Sequence, residues 1–451
     1  MKCTHGTWYH MLFLFFCFPL WAGESLVPQL EKTPLLHWNP PKVTHFQLDN
    51  GLEVYALENH ELPMVNVALY LRAGELDSPQ KMDGLADLTA ELIVEGGVEG
   101  KTPEEVDAWL DNQAMEFESH TGNEGTMFTM SSLSESWEEG VSFLWQALFH
   151  PAFDPKRFDT VQKKKLNGLK RSLDLPEVLA ERAFKKAIYG EKSPWGSSMT
   201  QASLKKIAVK DLREFHKKYF GLQNMVLGIS GDFSLAQLHV ILAQTTQNLP
   251  QGEKHLRHWN GISFSPKAKT EKISKKVTQA IVEVGHLALP RFDPDYYAYD
   301  LLQYVLGGSG FTSRLTQDIR TERGLAYAAT SGWEDNPERG SFKIFVATRA
   351  EKQKEVLERI RFHLTNIMGE GAVTQKELDE AKQSILSQYI FKFATPFQLL
   401  LERLRNDVMG YPADYLEKYP EEIKKVTVAD LKRVAQKYLR PDALTTVIVA
   451  P

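Results

Sequence analysis

Histidine is the residue type that first suggests metal chemistry, and the 13 histidines of this chain are scattered along it. Beyond residue 22, only His255 and His258 lie close together, at i and i+3 in a polar stretch. A catalytic zinc ion needs three protein ligands and an open coordination position. Because no third ligand accompanies the pair, we interpret it as a polar loop feature and not as a metal site.

Two other spacings could carry chemistry. Asp87 and Glu91 stand at i and i+4 of a helical run, so their carboxylates share one face. They could hold a hard cation, but two solvated carboxylates on a helix turn are the simpler interpretation. Arg320 lies in the last turn of the helical run 313–323, and Tyr327 lies at the start of a strand-like run. Without further information, an arginine at a helix C-terminus is interpreted as interacting with the helix dipole, and a tyrosine at a strand start is interpreted as a core residue.

A glycine-rich stretch, containing Gly307, Gly308 and Gly310, comes just before this second helical run. No lysine followed by serine or threonine comes after the glycines, so the stretch does not resemble a phosphate-binding loop. Two interpretations remain open, namely a flexible loop that contacts a ligand and an ordinary helix stop followed by a turn.

The elements that would position these residues occur twice. The segments 204–220 and 423–439 share lysine, valine, aspartate, leucine and tyrosine at matching positions, and a β-rich tail follows each. Near the start of each copy, an alternating run typical of a strand, 65–73 or 280–289, leads into a helical run. The sequence therefore predicts two homologous halves.

Within each half, hairpin-like strand pairs and separate helical runs indicate an α+β fold, in which an antiparallel sheet carries helices on one face. We expect an N-terminal domain over 43–250 and a C-terminal domain over 271–451. The stretch 251–270 between them is polar and carries proline, glycine and lysine, which is typical of a linker.

Composition agrees with soluble globular domains, since 43% of the 451 residues are hydrophobic. The formal charge of −5 argues against a broad nucleic-acid-binding surface, which needs a clear excess of basic residues. We therefore predict no nucleic-acid partner.

Residues 1–22 read as a signal peptide, because Lys2 precedes the apolar run 11–21 and small residues follow it. The run is short for a bilayer span, although an uncleaved anchor is the alternative. No later segment reaches spanning length. Both cysteines, Cys3 and Cys17, lie in this leader, so the mature chain would lack disulfides. We expect an exported protein, in a bacterial periplasm.

Several stretches together resemble the pitrilysin/insulinase-type zinc peptidases, or inverzincins, and specifically their short-subunit class related to mitochondrial processing peptidase. They cover nearly the whole chain after the leader and occur in both halves. The matching stretches are 51–54, 84–86, 151–155, 194–196, 231–232, 313–315 and 320–327. The resemblance implies two homologous domains with the fold called LuxS/processing-peptidase-like.

The family's zinc motif, H-x-x-E-H on the first-half helix, is degenerate here. Asp87 replaces the first histidine, Ala90 the glutamate and Glu91 the second histidine. The family's third ligand, a glutamate, would fall within 158–171, which contains no glutamate but three consecutive lysines, 163–165. We therefore expect no metal or cofactor in this chain.

The family's catalytic helpers are an arginine and a tyrosine with the separation of Arg320 and Tyr327. They bind the substrate backbone and stabilise the oxyanion, a role that suits a guanidinium fork and a neutral phenol. The resemblance assigns substrate contact to the glycine-rich stretch as well. It also implies an exposed edge strand near 116–121, including Glu118 and Ser119, that pairs with extended peptide.

We predict that this chain is the zinc-free subunit of a heterodimeric metalloendopeptidase that degrades or processes peptides in a closed chamber. A homologous partner would carry H-x-x-E-H and the zinc, and this chain alone would be a pseudo-peptidase, with a homodimer as one state of the isolated protein. Two alternatives are a non-enzymatic peptide-binding or assembly scaffold and an enzyme with an unrecognised metal site.

Overall fold

The computed structural model describes residues 40–191, 193–257 and 268–451. The predicted leader, His258 and much of the predicted linker lie outside the described residues. Within the described ranges, no helix combines the length and the apolar character needed to cross a bilayer.

The first half forms a six-stranded sheet. Its strands are β1 Thr44–Gln47, β2 Glu53–Glu58, β3 Met64–Leu71, β4 Glu116–Thr121, β5 Thr126–Leu133 and β6 Met225–Gly231. Its helices are α1 Leu85–Glu95, α2 Pro103–Asn112, α3 Trp137–Phe149, α4 Pro155–Ser172, α5 Pro176–Tyr189, α6 Gln201–Lys206, α7 Val209–Tyr219 and α8 Leu235–Thr246. Short 3-10 turns cover Glu75–Asp77, Pro194–Gly196 and Leu222–Asn224.

The second half forms a five-stranded sheet. Its strands are β7 Lys269–Ser274, β8 Ala280–Leu287, β9 Ala326–Glu334, β10 Ser341–Thr348 and β11 Thr445–Ala450. Its helices are α9 Tyr296–Gln303, α10 Gln353–Asn366, α11 Gln375–Phe391, α12 Pro396–Val408, α13 Tyr415–Lys425 and α14 Val428–Tyr438. Two segments, Tyr304–Gly308 and Thr316–Glu322, are π-helical, and Gly310–Thr312 and Ala350–Lys352 are 3-10 turns.

The two sheets share one topology. The order β2-β6-β3-β5-β4 in the first sheet corresponds to β7-β11-β8-β10-β9 in the second, and β1 extends the first sheet beyond β2. This correspondence confirms the predicted α+β fold with two homologous domains. The sheets are antiparallel except for one parallel pair in each, β2 with β6 and β7 with β11. The parallel pair arises because the last strand of each half returns beside β2 or β7 and runs in the same direction.

Each sheet buries one face under helices of its own half, which form the two large apolar cores. In the first half, α1 lies at the centre of this layer, where it packs against β4, α4 and α7. These contacts fix the position of α1, the helix that carries Asp87 and Glu91.

The opposite face of each sheet is covered by a helix from the other half, an exchange that the prediction of helices on one face did not include. Helix α5 packs on β8 and β11, with Ala180 and Phe184 in its contact. Helix α12 packs on β2, β3 and β6 through Leu400 and Leu404. A Cβ atom on Gly228 would lie 2.3 Å from Leu404, so glycine is what lets α12 approach the sheet.

Candidate functional site

Helix α1 begins without a side-chain cap of its own. Its N-cap residue, Gly84, has the left-handed φ of 100° and offers no oxygen to the free N–H groups of the first turn. Glu75 supplies it, because its carboxylate accepts the N–H of Gly84 at 2.8 Å and the N–H of Asp87 at 3.0 Å. Burial raises the pKa of Glu75, whereas the two hydrogen bonds lower it, and the effect of burial is the larger one. The helix is thereby held at the end where Asp87 lies.

Lys165 of α4 occupies the space between the two carboxylates of the degenerate motif. Its Nζ lies 2.5 Å from an oxygen of Asp87 and 2.5 Å from an oxygen of Glu91. Lys164 lies 3.3 Å from Glu91 and 2.8 Å from Glu95. Burial lowers the pKa of Lys165, but the two carboxylates raise it more, so the ammonium keeps its charge.

The residues at the positions of the zinc motif do not fit a zinc ion. Asp87 and Glu91 already bind an ammonium group, and Ala90 is buried and has no group that could activate water. Over the described ranges, no three histidine, cysteine, aspartate or glutamate side chains are grouped to hold a metal. The motif positions of this half therefore cannot carry out the zinc-dependent catalysis of the family. Two of the three consecutive lysines, Lys164 and Lys165, supply the positive charge at these positions instead.

Strand β4 is an edge of the first sheet and packs against α1. Its inner neighbour is β5, where Glu118 faces Thr129 and Ser119 faces Phe128 in the pairing register. The other side of β4 has no strand partner among the described residues. The side chain of Glu118 is exposed, so the edge is acidic. Peptide binding by Glu118 and Ser119 stays a prediction.

Arg320 and Tyr327 are positioned by a glycine that ends a π-helical segment. Gly324 has a φ of 57°, a left-handed value that suits glycine, and its N–H donates to the carbonyl of Arg320 at 3.2 Å. The chain then turns into β9, an edge strand of the second sheet, with Tyr327 near its start. The predicted stop at Gly324 and the strand opening are both observed, whereas most of the predicted helix 313–323 is π-helical.

The guanidinium of Arg320 lies between two exposed rings. Its Cζ is 4.8 Å from the ring centre of Phe311 and 5.6 Å from that of Tyr327. These rings are 68% and 74% exposed, so Tyr327 is not the core residue that its sequence position alone suggests. No carboxylate of the described residues comes within ion-pair distance of Arg320. Its hydrogen-bond donors are therefore available to a ligand.

The glycine-rich stretch builds the third side of this cluster. A Cβ atom on Gly307 would lie 2.4 Å from Ser331 Oγ of β9, and one on Gly308 would lie 2.3 Å from Gln303 Oε1, so both glycines allow close packing. Gly310 has a φ of 60° and open space around it. The stretch is thus a helix stop, and it also places Phe311 over Arg320.

The predicted site residues fall into two clusters. Asp87, Ala90 and Glu91 lie on α1 beside β4, which carries Glu118 and Ser119. Arg320 and Tyr327 lie together with the glycine-rich stretch.

Sequence reasoning missed three contributors: Glu75, the role of Lys165 and the stack with Phe311. Opposite charges on two helices signal a pair like that of Lys165 only when the register between the helices is known. An aromatic residue directly after the glycines was the available signal for Phe311.

The two halves match two models of one peptidase family. Residues 54–194 match the model described as insulinase, peptidase family M16, and residues 206–385 match the model of the peptidase M16 inactive domain. The chain belongs to peptidase family M16. The match to the inactive-domain model begins near the end of the first half and includes Arg320 and Tyr327.

Similar M16 proteins span nearly the whole chain. It is 25% identical to the non-peptidase homolog YmxG of Helicobacter pylori over 90% of this chain and 94% of that one. It is 20% identical to the mitochondrial-processing peptidase subunit beta of Dictyostelium discoideum over 91% and 89% of the two chains. The crystal structure of a peptidase M16 inactive domain from Pseudomonas fluorescens has a TM-score of 0.82 at 27% identity and covers 91% of this chain and 98% of that one.

Proposed function

We propose that this chain is the zinc-free subunit of a two-subunit M16 metalloendopeptidase and that it supplies Arg320 and Tyr327 to a chamber shared with a zinc-bearing partner. The observation that carries the proposal is the state of Arg320. A guanidinium held between two exposed rings, without a carboxylate partner in the described part of the chain, keeps its donors for a peptide carbonyl or an oxyanion.

The first half supports the same division of labour. Lys165 occupies the positions that hold zinc in active family members, so in this proposal the partner supplies the water-activating chemistry. The similarity to a processing-peptidase subunit that is named beta is consistent with a partner of the same family. Edge strands β4 and β9 would pair with extended peptide through main-chain groups.

The decisive experiment is native co-purification followed by metal analysis and kinetics of the isolated complex. We expect one zinc per heterodimer, held by the partner. The double variant Arg320→Ala/Tyr327→Phe should lower kcat by about 10²–10³, because oxyanion donors typically contribute that much, and should leave assembly intact. Tyr327→Phe alone keeps the ring next to Arg320 and removes only the hydroxyl.

A matched control separates the pair from general loss of charge. Arg361 on α10 is exposed on the same half, and Arg361→Ala should leave the kcat of the complex unchanged. Full activity of the Arg320/Tyr327 double variant would contradict the proposed catalytic role.

The alternative is a peptide-binding or assembly scaffold without peptidase activity. The name of the Helicobacter pylori relative, a non-peptidase homolog, favours it, as does the closure of the first-half site by Lys165. A stable native complex that contains no zinc-bearing subunit would support this alternative against the heterodimeric peptidase.

We also propose that the protein is exported to the periplasm, on the basis of the leader pattern in residues 1–22. N-terminal sequencing of the native protein should then start close to residue 23, and fractionation should recover the protein with periplasmic markers. A native N-terminus at Met1 would contradict cleavage.

A further inference from the structure

A partly enclosed cavity of about 240 Å³ lies where α12 meets the second-half helices α9, α11 and α13. Aromatic rings make up much of its wall and contact one another. The ring centres of Tyr389 and Tyr419 are 4.8 Å apart, and those of Tyr411 and Tyr415 are 4.4 Å apart. The other large rings of the wall are Tyr296, Trp333 and Phe393.

A carboxylate, Asp300, lines this aromatic cavity and is held by neutral hydrogen-bond donors. Asp300 accepts a hydrogen bond from the Tyr419 hydroxyl at 2.7 Å and one from Trp333. No basic nitrogen of the described residues lies within ion-pair distance of it. Burial raises the pKa of Asp300, although the hydrogen bonds from Tyr419 and Trp333 and the positive charge of Lys392 all lower it. A cation in the cavity would relieve this cost.

The other lining carboxylates are already paired. Asp335 lies 2.9 Å from Arg291 and Glu402 lies 3.9 Å from Arg405, so Asp300 is the lining carboxylate that has no ion pair among the described residues. Lys392 and Arg405 line the cavity as well, and the Lys392 ammonium lies 5.8 Å from the ring centre of Tyr389, where a bound cation would compete with it. Both side chains are exposed, so water and salt screen their charge more than that of Asp300.

A second observation indicates a ligand that carries a hydrogen-bond acceptor. Asn406 lines the cavity and is only 8% exposed, yet its Nδ2 has no hydrogen-bond acceptor among the described residues. Buried amide donors are nearly always paired, and an unpaired one is unfavourable. An oxygen atom on a bound molecule would provide the acceptor after a small adjustment of the side chain.

We propose that this cavity binds a small organic ammonium ion that also carries an oxygen acceptor. The aromatic faces attract the cation, Asp300 supplies the opposite charge, and Asn406 donates to the oxygen. The proposal uses none of the residues on which the peptidase proposal rests, so the two can fail separately.

The test is calorimetric titration of the full chain with choline and with its uncharged isostere, 3,3-dimethylbutan-1-ol. We expect the Kd of choline to be at least about tenfold lower than that of the alcohol, because only choline gains the cation–π and charge terms. Asp300→Asn should weaken choline binding about tenfold and leave the binding of the alcohol unchanged. The matched control, Asp442→Asn in an exposed turn, should change neither.

A second variant tests the acceptor and does not depend on the folding of the Asp300 variant. Asn406→Ala should weaken choline binding several-fold and leave the binding of tetramethylammonium, which has no oxygen, unchanged. Equal affinity for choline and the neutral alcohol, or no choline binding up to about 20 mM, would overturn the proposal.

Discussion

In the first half of the molecule, Lys165 lies between Asp87 and Glu91 and forms an ion pair with each of them. In the second half, Arg320 contacts two exposed rings and no carboxylate of the described residues. A charge that is satisfied within the fold has little capacity left for a ligand, whereas an unsatisfied guanidinium retains most of it. The two halves of one repeat therefore differ in function through their charge pairing, although their topology is the same.

The exchanged helices show a similar contrast. Ala68 pairs with Gly228 in the first sheet, and Glu283 pairs with Val447 at the corresponding place in the second. Small residues in the first sheet receive the leucines of α12, whereas the second sheet presents Glu283 under α5. The first contact is apolar, and the second buries a carboxyl group.

The largest expected effect would come from rebuilding the zinc site. The variant Asp87→His/Ala90→Glu/Glu91→His/Lys165→Glu should bind one zinc ion per chain. The same variant with Lys165 retained should bind zinc at least about a hundredfold more weakly, because the third ligand would be missing and the ammonium would repel the metal at close range. Competition with a chromophoric chelator measures both. Omitting Ala90→Glu is the control, since that residue is not a ligand and zinc affinity should not change.

Equal zinc affinity with and without Lys165 would break the comparison between the halves, because the closure of the first half would then not depend on its lysine.

A pH series would sharpen the contrast between the two helix contacts. Burial raises the pKa of Glu283 to about 8, with Lys343 at 3.8 Å opposing the rise. Below the ordinary pKa of 4.5, folded and unfolded chains are both protonated, so Glu283→Gln should have little effect there. As the pH rises to 8, only the unfolded chain gives up the proton, and the wild type loses stability.

At pH values above 8, Glu283→Gln should therefore be more stable than the wild type by roughly 2–4 kcal/mol in urea denaturation. Glu370→Gln, a change at an exposed turn, is the control and should run parallel to the wild type. A constant difference between Glu283→Gln and the wild type at all pH values would show that Glu283 does not stay protonated in the fold.

The lysine that closes the first half should also contribute to stability. Lys165→Met leaves Asp87 and Glu91 facing each other as like charges, at an expected cost of about 1–2 kcal/mol in the free energy of unfolding. Lys164→Met is the matched control. Its side chain is 63% exposed against 20% for Lys165, so its loss should cost at most about 0.5 kcal/mol. Equal costs for the two variants would remove the distinction between them.

Much of the fold followed from the repeat in the sequence. The matching segments 204–220 and 423–439 predicted two homologous halves, and Gly324 predicted the stop before β9. The exchange of α5 and α12 did not follow. An apolar helix face reports that the helix is buried, but it does not report which sheet covers it.

The candidate site was also predictable only in part, because the sequence shows which residues are present but not which of them come into contact. The loss of the zinc ligands is visible at Asp87, Ala90 and Glu91, because it needs only the motif. The ion pairs of Lys165 need the register between α1 and α4, which is set by packing that no local pattern encodes. The availability of Arg320 likewise depends on which side chains surround it in three dimensions.

The smallest expected effect concerns Phe311. A cation–π contact at an exposed position contributes roughly 0.5–1 kcal/mol, so Phe311→Ala should change the free energy of unfolding very little. It should still loosen Arg320, which would be left with one ring, and solvent exchange of the Arg320 Nε–H, followed by NMR, should become faster. Phe391→Ala removes an exposed ring of the same half and is the control. If exchange at Arg320 is the same in all three proteins, the stack does not order the guanidinium, and the contrast with the closed lysine site loses its structural basis.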